Sequence, residues 1–379
     1  MEYIILTTCG LIVFFTLAVT VRSLLAQKRM SWLVPSPPSG QTFPKLSVII
    51  PARNEEHDIV DSLHSVLNQQ GVDLEVIVVN DHSTDRTGAL VEEITRGDSR
   101  VTVLHAPPLQ SGWLGKVNAM QYGSAKATGD YLVFTDADIL HAPTCFASAL
   151  TVMQQHTYDL FSFSPLWMNE SVWEHVNIPI YFVGFIKLLL LSGLDNPASP
   201  NALASGAFMV IKTTVFHETG GFECVKGDMF DDVGLARSLK ANQYRVSYWF
   251  APACSQVRLF KNAHDAFWGT TKNISGAVEG HAGLALPLIL VAVVQYWTPV
   301  LAVVVGGLTT SPLLVVSGVS TYIIQYLSFF SIRRLISFHP VKLLCFPLVV
   351  IVSTCCILRA ILYQMKGEIF WRGRAIKVK

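Results

Sequence analysis

The decamer YLVFTDADIL, residues 131 to 140, decides how the rest of this chain is read. An apolar, β-forming run ends in Asp136 and Asp138, separated by one small residue, and the chain then turns towards Pro143. A charge at the end of a hydrophobic strand is costly to bury without a partner, so the pair is either solvated or engaged with a ligand. As ligands, two carboxylates suit a hard divalent cation, Mn2+ or Mg2+, at the carboxyl edge of a sheet, where open α/β sheets bind their small molecules. A three-letter motif recurs by chance, so the flanking sequence has to choose between these readings.

Working outward, runs of the same kind recur: LSVIIPA (46 to 52), LEVIVVN (74 to 80), VTVLHA (101 to 106) and YLVFTDAD (131 to 138). Further runs follow at DLFSFSP (159 to 165), SGAFMVIK (205 to 212) and Arg245 to Ala253. Helical stretches between them start near Glu56, Ser83, Gly115 and Pro143. Continuous apolar strands alternating with helices predict an α/β fold, a Rossmann-like and mostly parallel sheet with helices on both faces. Ligand chemistry should then collect where the strands end.

It does so at two more loops, Pro51-Ala52-Arg53-Asn54-Glu55-Glu56 and Asn80-Asp81-His82-Ser83-Thr84-Asp85. Ser83 and Thr84 can cap the helix that follows, but capping does not require Asp81 and Asp85 as well. Asn and Asp side chains at a sheet edge are suited to accept from a ribose hydroxyl or a base N–H. In Gly112-Trp113-Leu114-Gly115-Lys116 the glycines permit close backbone approach, and Lys116 beside a helix N-terminus is placed to meet a phosphate. A plain turn before a helix would read the same, except that it has no need of Trp113.

Composition puts part of the chain in lipid. Of the 379 residues 51% are hydrophobic and 15% charged, against about 25% charged in a soluble domain. With a net charge of +1 and dispersed basic residues, nucleic acid is not expected as a partner. Seven cysteines without a CxxC pair argue against a disulfide framework or a zinc site and fit a reducing compartment.

Tyr3 to Val21 carries no charge and is followed by Arg22, Lys28 and Arg29, so residues 1–30 are expected to be a transmembrane anchor with its basic end in the cytoplasm. Pro35, Pro37, Pro38, Gly40 and Pro44 make residues 31–44 a linker. Residues 45–278 form the expected globular domain, within which 176–194, apolar with Lys187 as its one charge, reads as a helix in the membrane interface or buried in the domain. Residues 279–363 are the C-terminal membrane region. No Asp, Glu, Lys or Arg occurs between Glu279 and Arg333, enough for two spans broken near Thr309 to Pro312. Leu343 to Leu358 is short for a third span and reads as a short re-entrant or interfacial segment before the basic tail, 364–379.

Taken in order, IIPARNEE, VVNDHSTDRT, GWLGKVNAM and FTDADI resemble the motif series of membrane-anchored, family-2 inverting glycosyltransferases with the GT-A fold. The spelling is similar to bacterial carotenoid- and hopanoid-associated lipid glycosyltransferases and, distantly, to ceramide glucosyltransferase. The resemblance implies a nucleotide-sugar donor, UDP-linked by family habit, held by Pro51, Ala52, Asn54, Glu55, Asp81 and Asp85, with Lys116 and Arg258 beside it. It implies a metal and diphosphate site at Asp136 and Asp138, and a catalytic acid pair at Asp231-Asp232 in which Asp232 is the general base. The Q-or-R-xxRW motif of processive relatives is missing, replaced by Gln256, Arg258, Trp268, Lys272 and Asn273, so transfer of a single sugar to a membrane lipid at the cytoplasmic face is implied. A polyprenyl phosphate acceptor and a non-catalytic scaffold of the same fold are the alternatives.

Overall fold

The computed structural model describes residues 1–36, 42–189, 193–196, 198–277, 285–366, 368–371 and 374–377. Pro37, Pro38 and Gly40 of the expected linker, Glu279 and the 278/279 boundary lie outside these, as do Arg372 and Lys379 of the tail. The chain divides into two compact units: Ser31–Trp167 with Leu191–Arg258, and Met1–Met30 with Met168–Leu190 and Leu259–Lys379.

The first of these is an α/β unit built on a seven-stranded sheet. Its strands are β1 (Leu46–Ala52), β2 (Leu74–Asn80), β3 (Val101–His105), β4 (Tyr131–Phe134), β6 (Leu160–Ser164), β8 (Met209–Lys212) and β9 (Val246–Phe250), in the order β3-β2-β1-β4-β8-β6-β9. β5 (Ile139–His141), β7 (Leu166–Met168) and β10 (Ser255–Val257) stand outside it, with β10 antiparallel to β5 and parallel to β7. β1 pairs in parallel with both β2 and β4, and β8 runs antiparallel between β4 and β6. The order reverses around β1, so the crevice beyond the carboxyl ends of β1 and β4 is the expected ligand position.

β1 and β2 span the predicted residues because both faces of each are covered. Val48, Ile50, Val76 and Val78 pack in one apolar cluster and Ile49, Ile77 and Val79 in the other. β4 stops at Phe134, four residues earlier than its sequence suggests, so Thr135 to Asp138 lie beyond the sheet. Helices also begin later than expected, at Ile59, Thr87 and Cys145 rather than near Glu56, Ser83 and Pro143. The intervening residues are used elsewhere. Ser83 Oγ accepts from Asn54 N (3.1 Å) and Asn54 Oδ1 accepts from Thr84 N (2.8 Å), so neither hydroxyl residue caps a helix.

In the second unit, among the described residues, four helices are long and apolar enough to cross a membrane: Glu2–Gln27, Ile289–Leu308, Pro312–Ile332 and Phe346–Tyr363. The break between the middle two falls at Thr309 to Ser311, where Thr310 adopts φ 53°. Gly318 has no Cβ to collide with Pro299 O, which would lie 2.5 Å away, and the two helices pack closely there. The last helix is longer than the sixteen-residue reading because it continues through Arg359. That guanidinium lies 3.6 Å from the Trp268 ring centroid and donates to Tyr363 Oη at 3.0 Å, which shelters its charge. Ile178–Leu189 and Ala263–Ala277 are helices of this unit too, so the expected globular domain of 45–278 is narrower in space than in sequence.

Candidate active site

The loops after β1 and β2 are tied to each other. Asp81 N donates to Ala52 O (2.8 Å), and Arg53 Nη1 donates to Asp81 O (2.6 Å). Asp85 accepts from Thr87 Oγ1 (2.6 Å), Thr87 N (3.0 Å) and Glu56 N (3.1 Å). Burial disfavours the Asp85 charge, but these hydrogen bonds outweigh it and hold the carboxyl below its usual range. Asp85 therefore joins the two loops at the start of the Thr87–Gly97 helix, on the same sheet edge as the other residues expected to meet the nucleotide. Asp81 is 3% exposed, with Oδ1 3.1 Å from His82 Nδ1, and Asn54 and His82 both take a left-handed φ of 55°. Pro51, Ala52, Asn54, Glu55 and Asp81 are thus assembled along one sheet edge.

Beyond β4 the chemistry converges from four segments. Lys116, in the first turn of the Gly115–Ser124 helix, places Nζ 2.5 Å from Asp136 Oδ1. Asp231 and Asp232 open the Asp231–Ala241 helix as expected, where the helix dipole favours acids. Asp232 Oδ2 accepts from Gly206 N (2.8 Å) and its Oδ1 from Val233 N (2.8 Å). Asp231 is 7% exposed, and its Oδ2 is buried with no hydrogen-bond partner among the described residues.

Electrostatics follow from that crowding. Burial alone would lower the Lys116 pKa, but Asp136, Asp231 and Asp232 reverse this and keep the ammonium charged, although 38% of the side chain is exposed. Both acids of the pair are raised, first by burial, with Lys116 opposing. For Asp231 the neighbouring Asp232 and Asp136 charges add to the rise. For Asp232 two backbone N–H groups pull the other way.

Two supporting residues carry no motif signal. Gly206 fits because a Cβ there would lie 2.6 Å from Lys116 Nζ and 3.2 Å from Asp136 Oδ2; the small-residue run Ser205-Gly206-Ala207 is the clue the sequence offers. His141 is buried, which pushes its pKa down to about 3 and leaves it neutral. Its Nε2 is 3.0 Å from Thr135 Oγ1, which donates to Ala207 O (2.8 Å), so Nε2 carries the proton. This chain fixes the backbone next to Asp136 and next to Gly206. Trp113 packs on the cluster around β2 and β4, with Lys226 Nζ 6.0 Å from its ring centroid. Arg258 follows β10, and Asp138 sits half-buried between β4 and β5.

Among the described residues no three His, Cys, Asp or Glu side chains form a metal-binding group. Mg2+ and Mn2+ in phosphate-handling sites are commonly held by one or two carboxylates, with phosphate oxygens and water completing the shell. Asp136 and Asp138 are a donor set of that kind, so the residues present fit such an ion.

A family described as Glycosyl transferase family 2 matches residues 47–218. Two curated relatives, both 4,4'-diaponeurosporenoate glycosyltransferases of Staphylococcus aureus (strains MRSA252 and USA300), are 25% and 24% identical over 341 residues, covering 88% of this chain and 88% of each relative. Among solved structures, mannosyltransferase PcManGT from Pyrobaculum calidifontis, in complex with GDP-Man and Mn2+, gives a TM-score of 0.53 at 18% identity, covering 93% of this chain and 99% of that one. The structural likeness bears out the expected GT-A architecture.

Proposed function

We propose, from the premise that residues 47–218 are a family-2 glycosyl transferase domain, that this protein moves one sugar from a nucleotide-sugar donor to a membrane lipid. The observation that carries the reading is the meeting of Lys116 and Asp136 at 2.5 Å beside Asp232, a carboxylate whose pKa is raised. A cation to one side and a base to the other is what a direct displacement at a sugar carbon needs.

In this reading Pro51, Ala52, Asn54, Glu55 and Asp81 line the nucleotide, with Arg258 a further contact. Asp136 and Asp138 would hold a divalent ion, which supplies charge stabilisation for the leaving diphosphate. Lys116 adds a second positive charge there. Asp232 takes the proton of the acceptor hydroxyl, and the backbone N–H groups of Gly206 and Val233 fix its orientation. Asp232 is chosen over Asp231 because Asp232 is half-buried whereas Asp231 is buried. Asp231 instead completes the acidic surround of Lys116.

The lipid acceptor is supported by the relatives, whose names specify diaponeurosporenoate, and by the four helices able to cross a membrane. A cytoplasmic catalytic unit follows from Arg22, Lys28 and Arg29 after the first helix and Arg333 and Arg334 at the end of the third. One name-based observation favours a second reading: an acceptor ending in "-oate" is a carboxylate, which arrives ionised and needs no base.

The test is to incubate the purified full chain with a membrane lipid extract, Mn2+ and labelled UDP- or GDP-sugars, and to follow lipid-linked label by mass spectrometry. A mass increment of one sugar, with inverted anomeric configuration, is expected. Absence of any glycolipid with every donor, or chains of several sugars, would count against the reading.

A further inference from the structure

The membrane unit contains an apolar cavity of about 450 Å3, within the ~300–1,000 Å3 usual for small-molecule sites. Phe15, Phe182, Val183, Val291, Phe329 and Ile357 are among its walls, and these come from the N-terminal helix, the Ile178–Leu189 helix and the three C-terminal spans. Val183 is 62% and Val291 64% exposed, so part of the wall meets whatever surrounds the helices. Around helices of this length and composition, that medium is lipid hydrocarbon.

One polar group in this wall is unusual. Pro299 interrupts the Ala285–Leu308 helix and has no N–H to give to the carbonyl four residues earlier, that of Gln295. Gln325 Nε2 takes that carbonyl at 2.6 Å, and the Gln295 side chain in turn donates to Thr16 Oγ1 at 3.3 Å. Because Gln295 O can only accept, the Gln325 amide is fixed with nitrogen towards the helix. Its Oε1, on a residue 1% exposed that lines the cavity, has no donor among the described residues. An acceptor left without a donor at membrane depth is costly and marks a functional position.

We propose that this cavity is a binding site for the apolar chain of a membrane lipid that carries a hydroxyl or amide donor, with Gln325 Oε1 accepting that hydrogen bond. The apolar walls select a hydrocarbon chain, and the Gln325 acceptor selects a lipid with a donor over one with none. The site does not depend on the glycosyl-transfer reading, and its test does not use transfer activity.

The full chain in nanodiscs is irradiated with a long-chain alcohol bearing a diazirine on its chain, and separately with the methyl ether of that alcohol. Label is expected in the peptides containing Phe15 to Val19 and Ser353 to Ile357, with the alcohol ahead of the ether by roughly 2- to 10-fold, the span of one net hydrogen bond. Gln325→Leu should remove the alcohol's advantage. Ala292→Phe, which narrows the cavity and leaves Gln325 in place, should reduce labelling by both probes at an unchanged melting temperature, so the proposal stays testable if Gln325→Leu fails to fold. Label spread evenly over outward residues such as Leu11 and Phe14, or unaffected by Ala292→Phe, overturns the site. Equal labelling by alcohol and ether in the native chain overturns the role of Gln325 and leaves a buried water as its donor.

Discussion

Lys116 Nζ lies 2.5 Å from Asp136 Oδ1, although twenty residues and a strand separate them in the chain. The ion pair sets both the charge on the side of the site where we propose the diphosphate leaves and, through Lys116, the proton affinity of Asp232. The predictions start from that pair.

Replacing Lys116 by Met removes the cation that lowers the Asp232 pKa. Asp232 must be ionised to act, so kcat falls as pH drops through its pKa, which burial already places above the usual carboxylate range. In Lys116→Met this acid limb should move to higher pH, and donor affinity should weaken. A kcat profile whose acid limb stays put, measured at saturating donor, would disconnect Lys116 from the base.

Gly206→Ala places a methyl group 2.6 Å from Lys116 Nζ, the mobile end of a flexible side chain. The fold should therefore persist while the pair is pushed apart, at a loss of activity on the order of 10- to 100-fold. A matching loss of thermal stability would instead make Gly206 a folding residue.

Asp232→Asn should keep near-normal donor affinity and lose at least ~100-fold in lipid glycosylation. If Asp231→Asn and Asp232→Asn both turn over at the native rate, the acceptor arrives ionised, as a lipid carboxylate or phosphate would.

Asp138→Asn should abolish the Mn2+- or Mg2+-dependent part of donor binding without unfolding the chain. Calorimetry with and without chelator measures this, and identical isotherms for variant and native protein would remove Asp138 from the metal site.

Glu75 provides a stability marker away from the chemistry. It is 22% exposed, 3.0 Å from Lys45 Nζ, and accepts from Ser47 Oγ (2.5 Å) and from Thr128 N (2.7 Å). Burial raises its pKa, but these bonds win and lower it from the usual 4.5 to about 2. A depressed carboxylate stabilises fully above its unfolded pKa and loses that contribution as pH falls through the folded one. Glu75→Gln should thus cost about 2 kcal/mol at pH 7, with the gap to native closing between pH 4.5 and 2 in denaturant melts.

Much of this was local enough to be legible in the sequence. Leu46–Ala52 and Leu74–Asn80 are the strands their apolar runs announce, because a strand covered on both faces requires unbroken hydrophobicity over just its own length. Asp231 and Asp232 open their helix as read, and the uncharged run near the N-terminus lies in one helix from Glu2 to Gln27. What the tertiary structure decided are contacts between residues far apart. Asp85 ties its own loop to the loop after the first strand through Thr87 and Glu56, and Gly206, read as strand, proves to be the donor to Asp232. The 168–190 and 259–277 segments belong with the membrane helices rather than the sheet, and Gln325 repairs the carbonyl that Pro299 orphans. Hydrophobic period and capping preference act over a few residues and are written in order along the chain. Pairing a charge, or satisfying a buried carbonyl, is settled by whichever group the packed fold brings within 3 Å, and no linear pattern records that distance.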